Sequence, residues 1–303
     1  RVLFRSFAGV GKADWEINLG LDNDIFCFNV ESAVELEIIN ELAATKNKVA
    51  SIALRINPEV DAHTHAKITT GMKENKFGIN LSQLGGVLDK LKEMKNVKLI
   101  GIHSHIGSQI TDMSSFRNLV IRFNEIQEEL EAHGVTVENL NFGGGLGIDY
   151  YHPNHLSIPA FDNYFAAIHK LLQVRPGQQV HFEPGRSIVA QCGTLISKVL
   201  YVKEGETKKF AILDAGFTEL IRPAMYDAYH RIENISSDEA VETYDVVGPI
   251  CESSDVFGKD VELNKAHRGD LIALRSAGAY GEVMASQYNC RHLPKAYYSD
   301  TIK

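Results

Sequence analysis

Three stretches decide how this 303-residue chain folds: LIGIHSHIGSQ at 99–109, LNFGGGLG at 140–147 and VHFEPGR at 180–186. Each runs from a short apolar segment straight into polar or glycine-rich residues, as a buried parallel strand does when its C-terminal end carries a loop. Working outward, similar apolar runs at Val2 to Phe4, Ile25 to Asn29 and Ala50 to Ile56 join Leu99 to His103, Leu140 to Phe142 and Val180 to Phe182 as candidate strands. Amphipathic segments separate them. Between Ser115 and His133, for example, Phe116, Leu119, Phe123, Ile126 and Leu130 recur at three- and four-residue spacing, the stripe of a helix packed on a core. Alternating strands and helices predict βα units around a parallel sheet, closed into a barrel or doubly wound. After about Gly193 the texture changes to β-rich runs at Thr194 to Val202, Phe210 to Leu213, Tyr244 to Val247 and Asp270 to Leu274, which predict a second, mostly β domain. The charged stretch Lys203 to Lys209 reads as an exposed hairpin.

Composition narrows the function classes. Hydrophobic residues at 44% and charged residues at 23% describe an ordinary globular chain, long enough for two domains. A net charge of −8 without a basic run argues against nucleic acid as a partner, and no apolar stretch approaches the roughly 20 residues that span a membrane. Cys27, Cys192, Cys251 and Cys290 lie far apart without CxxC spacing, so neither zinc nor a disulfide framework is indicated and reduced cytosolic thiols are the simplest reading. The opening RVLFRSFAGV lacks the features of a secretory signal and reads as an internal start.

In a βα barrel the chemistry gathers where strands end. Gly143, Gly144 and Gly145 follow a strand directly, where missing Cβ atoms would let backbone N–H groups converge on a phosphate; the alternative is a flexible turn. His103 and His105 are expected to point to opposite faces, so that one of them lines a pocket and packs on a flat cofactor; hydrogen-bonded core histidines are the alternative, and nothing nearby completes a metal site. Glu183, with Pro184 and Gly185 turning the chain before Arg186, sets an acid and a guanidinium at one strand end. Such an acid could keep a heteroaromatic nitrogen protonated, and such a guanidinium could hold a phosphate or carboxylate; an ordinary salt bridge is the plainer reading. Cys251 could be buried filler, but Glu252 and Asp255 give GPICESSD at 248–255 an acidic, exposed character that filler does not need.

These clusters, together with FNVES at 28–32, LRINPEVDAHTH at 54–65, TGMKENKFGI at 70–79, DAGFTELIRPAMYDAYH at 214–230 and GAYGEVMASQYN at 278–289, resemble the fold-type III pyridoxal-phosphate decarboxylases, and among them the diaminopimelate decarboxylase family most closely. The resemblance runs over nearly the whole chain. It implies an α/β fold in which a TIM-like (β/α)8 barrel binds pyridoxal 5'-phosphate over residues 1–192, and a C-terminal β domain over 193–303 contributes substrate and interface residues. It implies a cytoplasmic homodimer with shared active sites, and decarboxylation of meso-2,6-diaminopimelate to L-lysine and carbon dioxide. By matching position, His105 stacks on the pyridine ring, and Ser108 with Gly143, Gly144 and Gly145 lies near the phosphate. Glu183 pairs with the ring nitrogen within a cofactor-binding run that includes Pro184, Gly185 and Arg186. Arg186, Arg222 and Tyr226 match substrate positions, and Tyr280 touches both substrate and cofactor. Cys251 matches the proton donor and Glu252 the reader of the distal amino group, both reaching in from the partner subunit.

One departure stands out. The family's Schiff-base lysine lies in a Tyr-Ala-x-Lys-Ala-Asn-like strand that nothing here matches, and Lys12 in GVGK is not a substitute. The chain therefore reads as N-terminally incomplete, with an unclosed barrel, exposed edge strands, poor solubility and no activity as it stands. Two rival readings remain: a related decarboxylase acting on ornithine, arginine or carboxynorspermidine, and a catalytically dead binding homologue. Arg222 and Glu252 favour a substrate whose far end carries both a carboxylate and an amine.

Overall fold

The computed structural model describes residues 5–60, 76–156 and 159–301. The candidate strand at Val2 to Phe4 and the 61–75 portion of the quoted motifs lie outside these residues. Two compact units are present: Arg1–Gly147 with Ala160–Pro184, and Ile148–Pro159 with Gly185–Lys303. The segment that follows the EPGR turn is thus counted with the second unit.

In the first unit, β1 (Ser6–Phe7), α1 (Asp14–Asp22), β2 (Cys27–Val30), α2 (Ala33–Thr45), β3 (Ala50–Asn57), β4 (Ile79–Asn80), α3 (Leu84–Glu93), β5 (Val97–His103), α4 (Met113–Ala132), β6 (Asn139–Asn141), α5 (Phe161–Leu171) and β7 (Gln179–His181) follow in turn. The strands are parallel and ordered β1-β2-β3-β5-β6-β7, with β4 beside the end of β3. This order settles the choice left open by the sequence. A doubly wound sheet reverses direction at a switch point, whereas a barrel adds each strand next to the last.

Alternation along these strands separates two faces. Phe28, Val30, Leu54, Ile56, Ile102, Leu140 and Phe142 pack into one core with the helices. Phe123 of α4 stacks on Phe142 with ring centroids 4.1 Å apart. α4 forms because its apolar stripe, Phe116, Leu119, Phe123, Ile126 and Leu130, is buried on that core, and because the Asp112 side chain caps the Ser114 N–H at 2.8 Å. The other face holds a small cluster of Cys27, Ala53 and Ile100. Ile100 reaches it through a slip in the β3–β5 register between Ile52 and Ala53. Above that cluster the register sets Arg55 against His103, His103 against Asn141 and Asn141 against His181, a polar row across four strands.

The second unit holds α6 (Arg186–Val189), β8 (Leu195–Glu204), β9 (Lys209–Leu213), α7 (Arg222–Tyr226), β10 (Ile232–Asn234), β11 (Val241–Val247), β12 (Val256–Asn264) and β13 (Leu271–Leu274). Its six-stranded sheet has the order β10-β13-β8-β9-β11-β12 and is antiparallel except for the β9–β11 pair. The charged stretch is the β8–β9 hairpin, as read. Tyr244, Val246, Ile272, Leu274 and Leu213 fill its core.

Candidate active site

In the first unit Glu183 lies two residues beyond β7, beside the polar row. Its Oε1 accepts a hydrogen bond from Asn141 Nδ2 at 2.8 Å. Its Oε2 stands 3.5 Å from Nε2 of His103, a distance at which attraction is electrostatic more than a formed hydrogen bond. Burial alone would raise the Glu183 carboxyl, but His103, the Asn141 amide and the His105 ring outweigh it and hold the group at about 2, so it is an anion at neutral pH.

His105 faces the same carboxylate, and the expectation of opposite faces for the two histidines is wrong. Residues two apart along an extended chain share a face, and both imidazoles sit within the electrostatic reach of Glu183. Burial, with Arg55 and His103 adding to it, lowers His105 to about 4, so its ring is neutral at pH 7. Its Nδ1 faces the Gly144 N–H at 3.1 Å. A backbone N–H can only donate, so Nδ1 is the acceptor and the ring proton resides on Nε2.

The glycine run packs backbone on backbone. A Cβ at Gly143 would overlap the Ser104 carbonyl, one at Gly144 would overlap that of Glu183, and one at Gly145 would stand 2.6 Å from that of Gly107. Gly143 and Gly145 also adopt φ of +64° and +105°. The Gly143 and Gly144 N–H groups are bonded to Asn141 and His105. What these two glycines offer a phosphate is therefore close approach, not the free donors the sequence suggested. Ser108 lies in the loop after β5, next to Gly107, whose carbonyl Gly145 approaches.

Lys12 is engaged elsewhere. Its ammonium, fully buried, meets the carbonyls of Gly9 and Asn29 at 2.8 Å each and Glu35 at 2.5 Å, which uses all three of its donors.

In the second unit two guanidinium groups share one tyrosine. Arg186 donates to Tyr150 Oη at 2.8 Å, and Arg222 lies 4.9 Å from the centroid of the same ring. Arg186 also lies 5.0 Å from the Tyr280 centroid. Both arginines are buried, at 6% and 5% exposure, and α7 carries Arg222 and Tyr226 on one short turn. Arg222 meets His230 Nε2 at 2.7 Å while His230 Nδ1 faces the Arg275 carbonyl at 2.9 Å. The guanidinium can only donate, so Nε2 accepts and Nδ1 carries the proton. Burial, together with Arg222 and Arg186 and against the Arg275 bond, lowers His230 to about 4. Tyr150 and His230 were not singled out from the sequence as functional positions. Pro184 is the last residue of the first unit, and Gly185 begins the second segment of the second unit, ahead of α6.

Cys251 and Glu252 are exposed in the loop between β11 and β12, with Cys251 N–H on Asn289 Oδ1 at 3.2 Å and Glu252 Oε1 taking the Tyr288 hydroxyl at 2.8 Å. Asp255 is not exposed as the sequence suggested. It is buried, raised by that burial, and accepts the Ile250 N–H at 2.7 Å and the Phe217 N–H at 2.6 Å, so it shapes the loop.

The donor set of the first unit fits pyridoxal phosphate: an anionic carboxylate for a pyridinium nitrogen, a neutral imidazole for stacking on the ring, and a glycine loop that lets a phosphate approach closely. Comparison with known proteins agrees. Residues 6–190 match the family model described as "Pyridoxal-dependent decarboxylase, pyridoxal binding domain". A diaminopimelate decarboxylase of Bacteroides thetaiotaomicron is 68% identical over 296 residues, spanning 98% of this chain and 77% of that protein. One from Neisseria meningitidis serogroup B is 44% identical over 94% of this chain and 68% of its own length. Among solved structures, diaminopimelate decarboxylase from Helicobacter pylori, complexed with L-lysine, superposes with a TM-score of 0.87 at 41% identity, covering 94% of this chain and 70% of that one. The fold is thus α/β, a TIM-like barrel domain followed by a β domain. The chain belongs to the pyridoxal-dependent decarboxylases, within their diaminopimelate decarboxylase family.

Proposed function

We propose that the protein decarboxylates meso-2,6-diaminopimelate to L-lysine and carbon dioxide, with pyridoxal 5'-phosphate as cofactor. The observation that carries the choice of substrate is the pair of buried guanidinium groups, Arg186 and Arg222, packed around Tyr150. Two buried cations on one tyrosine suit a substrate carboxylate that survives the reaction, and a diamine-forming enzyme has no such group to clamp. The names of the relatives, and the lysine held by the Helicobacter pylori enzyme, support the same reading.

When bound, the cofactor supplies the electron sink that makes loss of carbon dioxide from an α-amino acid feasible. Glu183 would hold a proton at the ring nitrogen, His105 would pack on the ring, and Ser108 with Gly143, Gly144 and Gly145 would hold the phosphate. Pro184 and Gly185 turn the chain into Arg186. Tyr226 and Tyr280 orient the substrate, Glu252 reads its distal amino group, and Cys251 gives the proton that replaces the departing carboxylate. The first unit is the cofactor-binding part, and the second, which takes in 148–159 and 185–192 and so holds Arg186 with Arg222 and Tyr280, contributes substrate and interface residues. The protein works as a cytoplasmic homodimer in which Cys251 and Glu252 serve the partner's site.

Steady-state assays of the full-length protein test the substrate. Arg222→Lys is expected to raise KM for diaminopimelate by roughly tenfold or more through loss of the planar fork. An Arg222→Lys protein with wild-type KM would remove the argument for a carboxylate clamp.

A further inference from the structure

Asn141, His103 and Glu183 form an arrangement that the roles above do not use. Three hydrogen bonds close a ring. Asn141 Oδ1 accepts the Gly143 N–H at 2.9 Å, the Gly143 carbonyl accepts the Glu183 N–H at 2.8 Å, and Glu183 Oε1 accepts from Asn141 Nδ2 at 2.8 Å. The ring fixes the amide. Gly143 N–H can only donate, so Oδ1 must face it and the NH2 must face Glu183, which favours the carboxylate over the acid. On the other side, His103 is 1% exposed, Asn141 is 8% exposed, and Nε2 of His103 approaches the second carboxylate oxygen. Neither ring nitrogen of His103 has a hydrogen-bond partner among the described residues, which is costly for a buried imidazole and gives the residue a reason beyond packing.

We infer that Asn141 and His103 are positioning residues for Glu183, the amide by its hydrogen bond to Oε1 and the imidazole by its electrostatic approach to Oε2, and that Asn141 makes the glycine loop and the ring-nitrogen acid move as one piece. The inference rests on the reading of Glu183 as the partner of the pyridine nitrogen. On that reading one end of the cofactor would be held by the loop and the other by the acid. A side chain bonded to both fixes the distance between them before anything binds.

The test compares binding of pyridoxal phosphate with its 1-deaza analogue, in which C–H replaces the ring nitrogen, by fluorescence titration of the full-length protein. The ratio of the two dissociation constants reports the ring-nitrogen contact, and a merely structural defect weakens both cofactors alike. Asn141→Ser is the informative variant, because a serine hydroxyl can still accept the Gly143 N–H in a local turn but cannot reach Glu183. Wild type is expected to prefer the natural cofactor by about tenfold or more, the scale of one charge-assisted hydrogen bond. Glu183→Gln is expected to bring the ratio near one, and Asn141→Ser and His103→Leu to bring it most of the way there. If Glu183→Gln lowers the ratio while both other variants keep the wild-type value, the positioning inference is overturned. If Glu183→Gln itself leaves the ratio unchanged, the assignment of Glu183 has failed, and the inference with it. His103→Leu carries the test should Asn141→Ser not fold.

Discussion

His105 and His230 sit in different units, yet each is held near a pKa of about 4, against an ordinary 6.5, chiefly by burial. Between those values the unfolded chain binds a proton at each ring that the folded chain refuses. The unfolded state therefore gains protons first, and stability falls as pH drops from about 6.5 to about 4. Glu183 acts in a lower window. Its carboxyl is depressed to about 2 from 4.5, so its contribution is present above 4.5 and lost as pH falls from there to about 2. Melting temperatures measured from pH 8 to pH 4 should drop mainly below 6.5, and His230→Gln should flatten that drop; an unchanged slope in the variant would show that His230 is not one of its sources. Glu183 and His105 were legible in the sequence because they end apolar runs. Asn141 was not, although the alternation Asn139, Leu140, Asn141, Phe142 holds the signal, with both asparagines on the face opposite the helix-packed core.

Among the elements, the short loop at the end of β6 is the most constrained. Gly143→Ala adds a Cβ into the Ser104 carbonyl at a positive φ, and is expected to cost about 2 to 4 kcal/mol. Gly177 is the matched control. It has φ of +83° with nothing within 4 Å of a built Cβ, so Gly177→Ala should cost only the backbone strain, about 1 to 2 kcal/mol. Urea midpoints of the two variants separate the effects, and equal midpoints would mean that the loop yields where it touches β5. The long helices and central strands were readable because period and burial agree, as in α4. β10 and β12 were missed for local reasons. β10 is only three residues long, and β12 is interrupted by Gly258, Lys259 and Asp260, the last at φ +51° opposite an irregular stretch of β11. Tyr150 escaped notice because its segment is embedded in the barrel half of the sequence yet groups with the second unit, which no local pattern reveals.

For the whole molecule, the proposed sharing of Cys251 across a dimer can be checked by complementation. Cys251→Ala and Glu183→Gln would disable different chains' contributions to a site. Mixed after unfolding and refolding together, they should regain about a quarter of wild-type activity, the share of intact sites in a random population of two-fold dimers. No recovery, with dimers present, would place both residues in the same chain's site. The alternation of parallel strands and helices was legible from the run of strand ends, but the choice between a barrel and a doubly wound sheet needed the family resemblance or the observed strand order, and the grouping of 185–192 with the β-rich unit was not legible, because α6 is a single short turn without periodicity. The most direct test of the central claim is to incubate the full-length protein with pyridoxal phosphate and, separately, meso-diaminopimelate or ornithine, and to quantify carbon dioxide and amine product. The account predicts lysine and carbon dioxide in equal amounts from diaminopimelate, and little or nothing from ornithine. Faster release of carbon dioxide from ornithine, or none from diaminopimelate, would contradict it.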